Sequence, residues 1–269
     1  MKTIQFLGTK EQLFSIINKG NIFDADYVIA MYLLKNWSRL RQINIYDMAA
    51  ACYVDRSTIR RFFDKMNDTN FREFKSGYND YFKTDEAATM GCSSYTEYLT
   101  KLAEQIISYV DHFKLRRDKD GEIEWFVDRL HRAENVVFMG SESIGGQMLN
   151  AQNAYLVSDK IIHVITQNVQ NNSLLNHLDE GDLILIFSLR CRYANIIYPT
   201  IEKNKAKKIL FTLYKTAALE EQYDKVIPLS NQSLNIEEDV IRKYGYTYLM
   251  DTMTATYRIR YKTPSSKEE

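Results

Sequence analysis

The spacing of apolar residues divides the chain into two grammars. Up to about residue 131 they recur every three or four positions, the period of amphipathic helices. KEQLFSIIN (10–18) is one such stretch, and DADYVIAMYLL (24–34) is a second, with Val28, Met31, Tyr32 and Leu34 able to face inward. A short helix follows from Ile45 to Ala51, with Asn44 as its N-cap, and Cys52-Tyr53-Val54 form a tight turn. Asp55 then caps a helix from Arg56 to about Met66, because its carboxylate accepts the free N–H groups of the first turn. On that helix Ile59, Phe62, Phe63 and Met66 make one apolar stripe, and Ser57, Arg60, Arg61, Asp64 and Lys65 are turned away from it. Phe71-Arg72-Glu73-Phe74-Lys75 leads into a further helix expected to end near Phe82, and the small, polar run Lys83–Ser94 reads as a linker. Beyond it, Tyr95–Phe113 aligns Leu99, Leu102, Ile106 and Val110. Glu122–His131 aligns Ile123, Phe126, Val127 and Leu130. The charged segment Arg116–Gly121 is expected to break the two apart.

From Asn135 the pattern changes to short apolar runs: NVVFMG (135–140), IIHVI (161–165), DLILIFS (182–188), KKILFTL (207–213) and KVIPL (225–229). Helical stretches lie between them: Gly145–Val157, the surroundings of Leu174–Leu178, about Ala194–Asn204 with Pro199 in its first turn or at a kink, and Ala217–Gln222. Five β-rich runs alternating with helices predict a doubly wound, parallel, five-stranded sheet with both faces covered. A final helix from Ile236 to about Tyr257 closes this half, and the tail TPSSKEE reads as disordered.

Composition narrows the picture. A chain of 269 residues, 45% hydrophobic and 26% charged, has room for two globular domains. No apolar run approaches the roughly 18 residues of a membrane span, and the N-terminus lacks the apolar core of a signal peptide. Cys52, Cys92 and Cys191 are widely spaced and without metal-ligand spacing, as in a reducing cytoplasm. Net charge is zero, so any contact with nucleic acid has to come from a local patch.

Such a patch exists. A small-residue helix, a tight turn and a second helix with a buried stripe and an arginine-rich outer face make the design of a helix-turn-helix, whose second helix enters the DNA major groove. Arg39 and Arg41 precede the motif, and Arg72 and Lys75 follow it. The candidate DNA contacts are Arg56, Ser57, Thr58, Arg60, Arg61 and Lys65. Within AAACYVDRSTIRRFFDKMNDTNFREFK, Ala49, Val54, Thr58, Ile59, Arg61, Phe62, Phe71, Glu73 and Lys75 fit the pattern A-x-x-x-G-V-S-x-x-T-I-x-R-F…F-x-E-L-K. The segment thereby resembles the N-terminal domain of the RpiR-type bacterial transcriptional regulators. Tyr53 stands at that family's turn glycine and Asp55 at its capping serine. Tyr53 implies either a turn that avoids the left-handed backbone or one that adopts it at some cost.

The second half resembles the sugar isomerase (SIS) domain found in the same regulators. That resemblance implies a sugar phosphate held by G-x-G-x-S after the first strand and S-x-S-G-x-T after the third. Here Gly140 keeps the first glycine, Glu142 stands at the second, and Ile144 takes the serine position with Ser143 one residue early. Ser188 keeps the first serine of the second motif, and Arg190, Cys191, Arg192 and Tyr193 replace the rest. The candidate ligand residues are Ser141, Ser143, Ser188, Arg190 and Arg192. The two arginines suit an anion by a bidentate route, with Glu142 as the internal carboxylate able to lie between them.

The expected organisation is thus a helix-turn-helix domain (1–83), a linker (84–94), a five-stranded α/β SIS-like domain (95–257) and a tail (258–269). The resemblance implies a cytoplasmic, dimeric regulator of sugar metabolism that binds an operator in double-stranded DNA and senses a phosphorylated sugar, with no cofactor or metal. One alternative is a regulator whose ligand site is vestigial. Another is a sugar-phosphate isomerase, which needs a general base, and for which Glu142, His163 and His177 are the candidates. They supply no acid–base pair, so no enzyme is expected.

Overall fold

A computed structural model describes residues 12–18, 20–66, 70–77, 90–166, 169, 172–230 and 236–261. The chain divides into two compact units, Met1–Thr89 and Met90–Glu269. Most of the expected linker and the expected helix end at Phe82 lie outside the described residues, as does the tail beyond Tyr261.

The first unit is helical among its described residues: α1 (12–18), α2 (Ala25–Lys35), a 3-10 turn (Trp37–Gln42), α3 (Ile45–Cys52), α4 (Arg56–Lys65) and α5 (Phe71–Gly77). Phe63 lies in the middle of the core, edge-on to Phe62 and 5.1 Å and 5.5 Å from the Phe74 and Phe71 rings. The α4 stripe is buried as its spacing requires, with Ile59, Phe62, Phe63 and Met66 all at or below 4% exposure. On α2 the fully buried residues are Ile29, Ala30 and Leu33, with Val28, Tyr32 and Leu34 only partly covered. The inward face of α2 is therefore rotated from the expected one. A weakly amphipathic helix leaves that choice to its neighbours.

The second unit opens with α6 (Tyr95–Asp120) and α7 (Glu122–Arg132). The charged segment expected to break them instead continues α6, and the break is the single residue Gly121, in the left-handed conformation that ends helices. Among the described side chains of α6, Tyr109 and Phe113 are buried, whereas Leu99 is exposed. Then come β1 (Val136–Gly140), α8 (Glu142–Leu156), β2 (His163–Ile165), a 3-10 turn (Ser173–His177), β3 (Leu183–Phe187), α9 (Arg192–Ile201), β4 (Lys207–Thr212), α10 (Ala217–Gln222) and β5 (Lys225–Pro228). The sheet is wholly parallel in the order β2-β1-β3-β4-β5. Pro199 falls in the last turn of α9, whose start at Arg192 precedes the expected one. The last helix runs from α11 (Glu238–Val240) through a π-helical stretch (Ile241–Gly245) into α12 (Tyr246–Tyr261), so it outlasts its expected end at Tyr257. Among the described residues no helix is long and apolar enough to cross a membrane.

Side chains of successive strand residues point to opposite faces, and here both faces are buried. Val136, Phe138, Leu183, Leu185, Phe187, Ile209 and Phe211 belong to the core that includes α7, α8 and α12. Val137, Met139, Ile184, Ile186 and Leu210 belong to the core under α9 and α10. Gly140 ends β1 where a side chain has no room: a Cβ there would lie 2.6 Å from Ile144 Cγ2. Gly140→Ala is expected to cost about 1–3 kcal/mol, as overpacking does, read as a lowered denaturant midpoint. An unchanged midpoint would mean that α8 shifts freely.

Candidate functional site

In the first unit, Asn44 caps α3 by accepting the N–H groups of Tyr46 and Asp47, each at 2.9 Å. The turn that follows is left-handed at Tyr53 (φ 55°, ψ 39°). Tyr53 and Val54 donate their N–H groups to the carbonyls of Ala50 and Ala49, closing α3. Asp55 caps α4: its Oδ1 accepts from the Thr58 N–H at 2.8 Å and from the Ser57 hydroxyl at 2.6 Å. Of the two alternatives the sequence left at Tyr53, the turn takes the strained one.

Arg56, Ser57, Arg60, Arg61 and Lys65 are all exposed, and Thr58 is half-buried. Their commitments differ. The Arg56 guanidinium lies 5.0 Å above the centre of the Tyr46 ring and donates to its hydroxyl at 3.2 Å. Arg61 donates to Thr58 Oγ1 at 3.2 Å. Arg60 has no hydrogen bond or ion pair among the described residues. Lys65 pairs with Asp26 of α2 at 2.7 Å. Of the flanking cations, Arg39 is tied to Asn36 and Lys75 to the Ile43 carbonyl.

In the second unit, β2 lies on one side of β1 and β3 on the other, so the chain reverses direction across the sheet between β1 and β3. Open α/β sheets bind ligands past the carboxyl ends of strands at such a point. Gly140 pairs with Phe187, which sets the loops after β1 and β3 side by side. Ser141 and Ser143 share a hydrogen bond between their hydroxyls at 2.8 Å. Glu142 is the first residue of α8 rather than part of an open loop. A carboxylate there suits the positive end of a helix.

The loop after β3 is held from within. The buried Ser188 hydroxyl accepts the Ala194 N–H at 3.1 Å and so serves α9. Cys191 has a left-handed backbone (φ 58°), and its Sγ meets Thr212 Oγ1 at 2.9 Å. The Thr212 hydroxyl in turn donates to the Leu189 carbonyl at 2.8 Å. Arg190 forms an ion pair with Glu238, whose other oxygen accepts from the Tyr214 hydroxyl at 3.5 Å. Arg192, at the start of α9, is exposed and has no partner among the described residues. Tyr193 turns inward, and burial pushes its phenol well above the usual range.

Tyr214 and Glu238 were not legible as site residues. Tyr214 lies two residues past the end of β4, so its place beyond a strand end offered a signal. Glu238 lies 48 positions from Arg190, and only the fold joins them. As for the isomerase candidates, His163 is half-buried in the edge strand β2, and His177 sits exposed in a 3-10 turn, its ring N–H donating to the Ser173 carbonyl at 2.7 Å.

No protein-family model matches the chain, and neither does any curated protein. Solved structures do. NanR of Vibrio vulnificus, complexed with ManNAc-6P, is 15% identical over 94% of this chain and 92% of its own, with a TM-score of 0.49. The sugar isomerase domain of an RpiR transcription factor from Sphaerobacter thermophilus is 15% identical over 61% and 88%, with a TM-score of 0.46. A candidate phosphosugar isomerase involved in capsule formation, from Bacteroides fragilis, is 16% identical over 65% of this chain and 95% of its own, with a TM-score of 0.50. At that identity the likeness speaks to the fold: the α/β unit is SIS-like.

The Asp55 cap carries a pH dependence. Its hydrogen bonds, from the Ser57 hydroxyl first and then from Thr58, lower the carboxyl from 3.8 to about 2. A carboxyl lowered on folding stabilises the fold fully above about pH 4 and loses that contribution as pH falls towards 2. Asp55→Asn keeps an acceptor without the charge. Its melting temperature is therefore expected to fall less than that of the natural chain between about pH 4 and 2, and parallel curves would remove the cap from the acid response.

Proposed function

We propose that this chain is a DNA-binding transcriptional regulator of sugar metabolism, acting in the cytoplasm as a homodimer. In this reading α3, the Tyr53 turn and α4 read an operator in duplex DNA, and the SIS-like unit senses a phosphorylated sugar. The observation that carries it is the outer face of α4, where Arg56, Arg60 and Arg61 stand exposed above a fully buried stripe. Guanidinium forks match guanine edges and phosphates. Arg60 and Arg61 are assigned to base edges and Arg56 to a phosphate. Ser57 and Thr58 support them from the cap, and Lys65, held by Asp26, contributes least. Two copies would double a short reading head against a palindromic site.

The experiment is selection of bound duplexes from a random pool by the full chain, followed by anisotropy titration. Arg61→Ala is expected to weaken binding by roughly 1–3 kcal/mol and to relax preference at one base position. Unchanged affinity for the selected duplex would overturn the assignment of α4.

For the effector, Ser141, Ser143, Arg190 and Arg192 are assigned to an anionic sugar, with Ser188 shaping the loop. Support comes from their place at the switch point and from the sugar-phosphate ligand and names of the similar structures. A second reading, a site without an effector, is favoured by the Arg190–Glu238 pair and by Ser188 being engaged with α9. A melting-temperature screen with phosphorylated sugars separates the two, because a ligand of the native state raises that temperature. At least one phosphosugar is expected to raise it, and the double variant Arg190→Ala, Arg192→Ala to abolish the rise while DNA binding persists. No rise with any phosphosugar would leave the second reading standing.

A further inference from the structure

Tyr53 is an anomaly in the first unit. Its left-handed backbone is one that bulky side chains disfavour and glycine adopts freely. The turn needs that backbone, because it aims the N–H groups of Tyr53 and Val54 at the last carbonyls of α3. It does not need the tyrosine. The ring is 96% exposed and forms no part of the core. Cys191, left-handed in the other unit, makes a side-chain contact with Thr212. Tyr53 has no such contact among the described residues. Bulky residues held in such a conformation cluster where side chains meet ligands, and here the fold uses the backbone but not the ring.

The surroundings indicate which ligand. Tyr53 lies three residues before Arg56, in the turn that leads into α4. Tyr46, 65% exposed on the first turn of α3, holds the Arg56 guanidinium with its ring and its hydroxyl. One exposed phenol thus holds a cation at the start of the arginine-bearing helix, and a second stands three residues before that cation in the chain. A phenol donates a hydrogen bond to a phosphate oxygen and lays an apolar ring on the adjoining sugar, and the guanidinium meets the phosphate charge.

We infer that Tyr53 is a contact to the sugar–phosphate backbone of duplex DNA, placed beside Arg56, which Tyr46 positions. This rests on the reading of α4 as the DNA-facing helix. Tyr53 fixes the register of that helix on the duplex without adding charge.

The neutrality of the phenol gives the test its signature. The full chain and its variants are titrated at several salt concentrations with a labelled duplex selected by the natural chain. Tyr53→Gly is expected to bind about tenfold more weakly, as the loss of a hydrogen bond to a charged group implies. Its melting temperature is expected to be equal or higher, since glycine suits the backbone. Its salt slope should match that of the natural chain, because no counterion-releasing charge is removed. Tyr53→Phe keeps the ring and is expected to lose most of the same affinity. Arg56→Ala is expected to flatten the slope by about one.

Natural affinity in Tyr53→Gly, with Arg61→Ala still defective, would overturn the inference and leave α4 as the reading helix. A lowered melting temperature in Tyr53→Gly would also overturn it, by giving the ring a structural role. Natural affinity in Tyr53→Phe would remove the hydroxyl contact and overturn it as stated. Failure of the natural chain to select any duplex would overturn the DNA-binding reading itself.

Discussion

The second unit depends on the pairing of β1 with β3. Each strand has five buried residues, and each contributes apolar side chains to two separate cores. A parallel strand at the centre of such a sheet has no face on which a polar side chain can stand without a partner. Polar chemistry is therefore displaced to the strand ends. The register that joins Gly140 to Phe187 places both candidate loops at the same end. Asp182 does the equivalent work at the other end, where its buried carboxylate accepts from the Asn135 backbone and side chain and from the Asp179 N–H.

Two turns adopt a left-handed backbone without the residue that makes it easy. The resemblance to RpiR-type regulators and to SIS domains implies glycine at positions 53 and 191, and this chain has tyrosine and cysteine there. Both backbones are nonetheless left-handed. The conformation is imposed by neighbouring hydrogen bonds: the closure of α3 at one site, and at the other the bond from the Cys191 N–H to the Ser188 carbonyl ahead of α9. At both turns hydrogen bonds set the path of the chain, and the side chain decides only what is presented there.

The sequence was most legible where one physical effect dominates. The five strands were plain because short apolar runs rich in Val, Ile, Leu and Phe alternate with helical stretches, as in a parallel sheet covered on both faces. The α4 stripe and the Asp55 cap were plain because helix period and capping are local. Legibility failed where tertiary partners decide. The segment Arg116–Asp120 looked like a break, yet it carries good helix formers and α6 runs through it. Leu99 fits a stripe whose other members, Leu102, Ile106 and Val110, are half-buried, yet it is itself exposed, because burial depends on what lies opposite. At the candidate anion site the sequence offered side chains but not their engagements. Ser188 turns to α9, and Arg190 meets a carboxylate contributed by α11.

The margins of the sheet carry a separate consequence. Its outer strands, β2 and β5, are three and four residues long, and β5 ends in Pro228, which has no N–H to offer. An open row of backbone donors and acceptors invites the strand of another molecule, and short or proline-ended margins withhold it. The apolar interior strands, which would be hazardous at a margin, lie between these two guards. Strand-by-strand continuation of the sheet from one molecule to another is thereby disfavoured. An insertion that lengthened β2 would remove that safeguard without altering a single residue of the core.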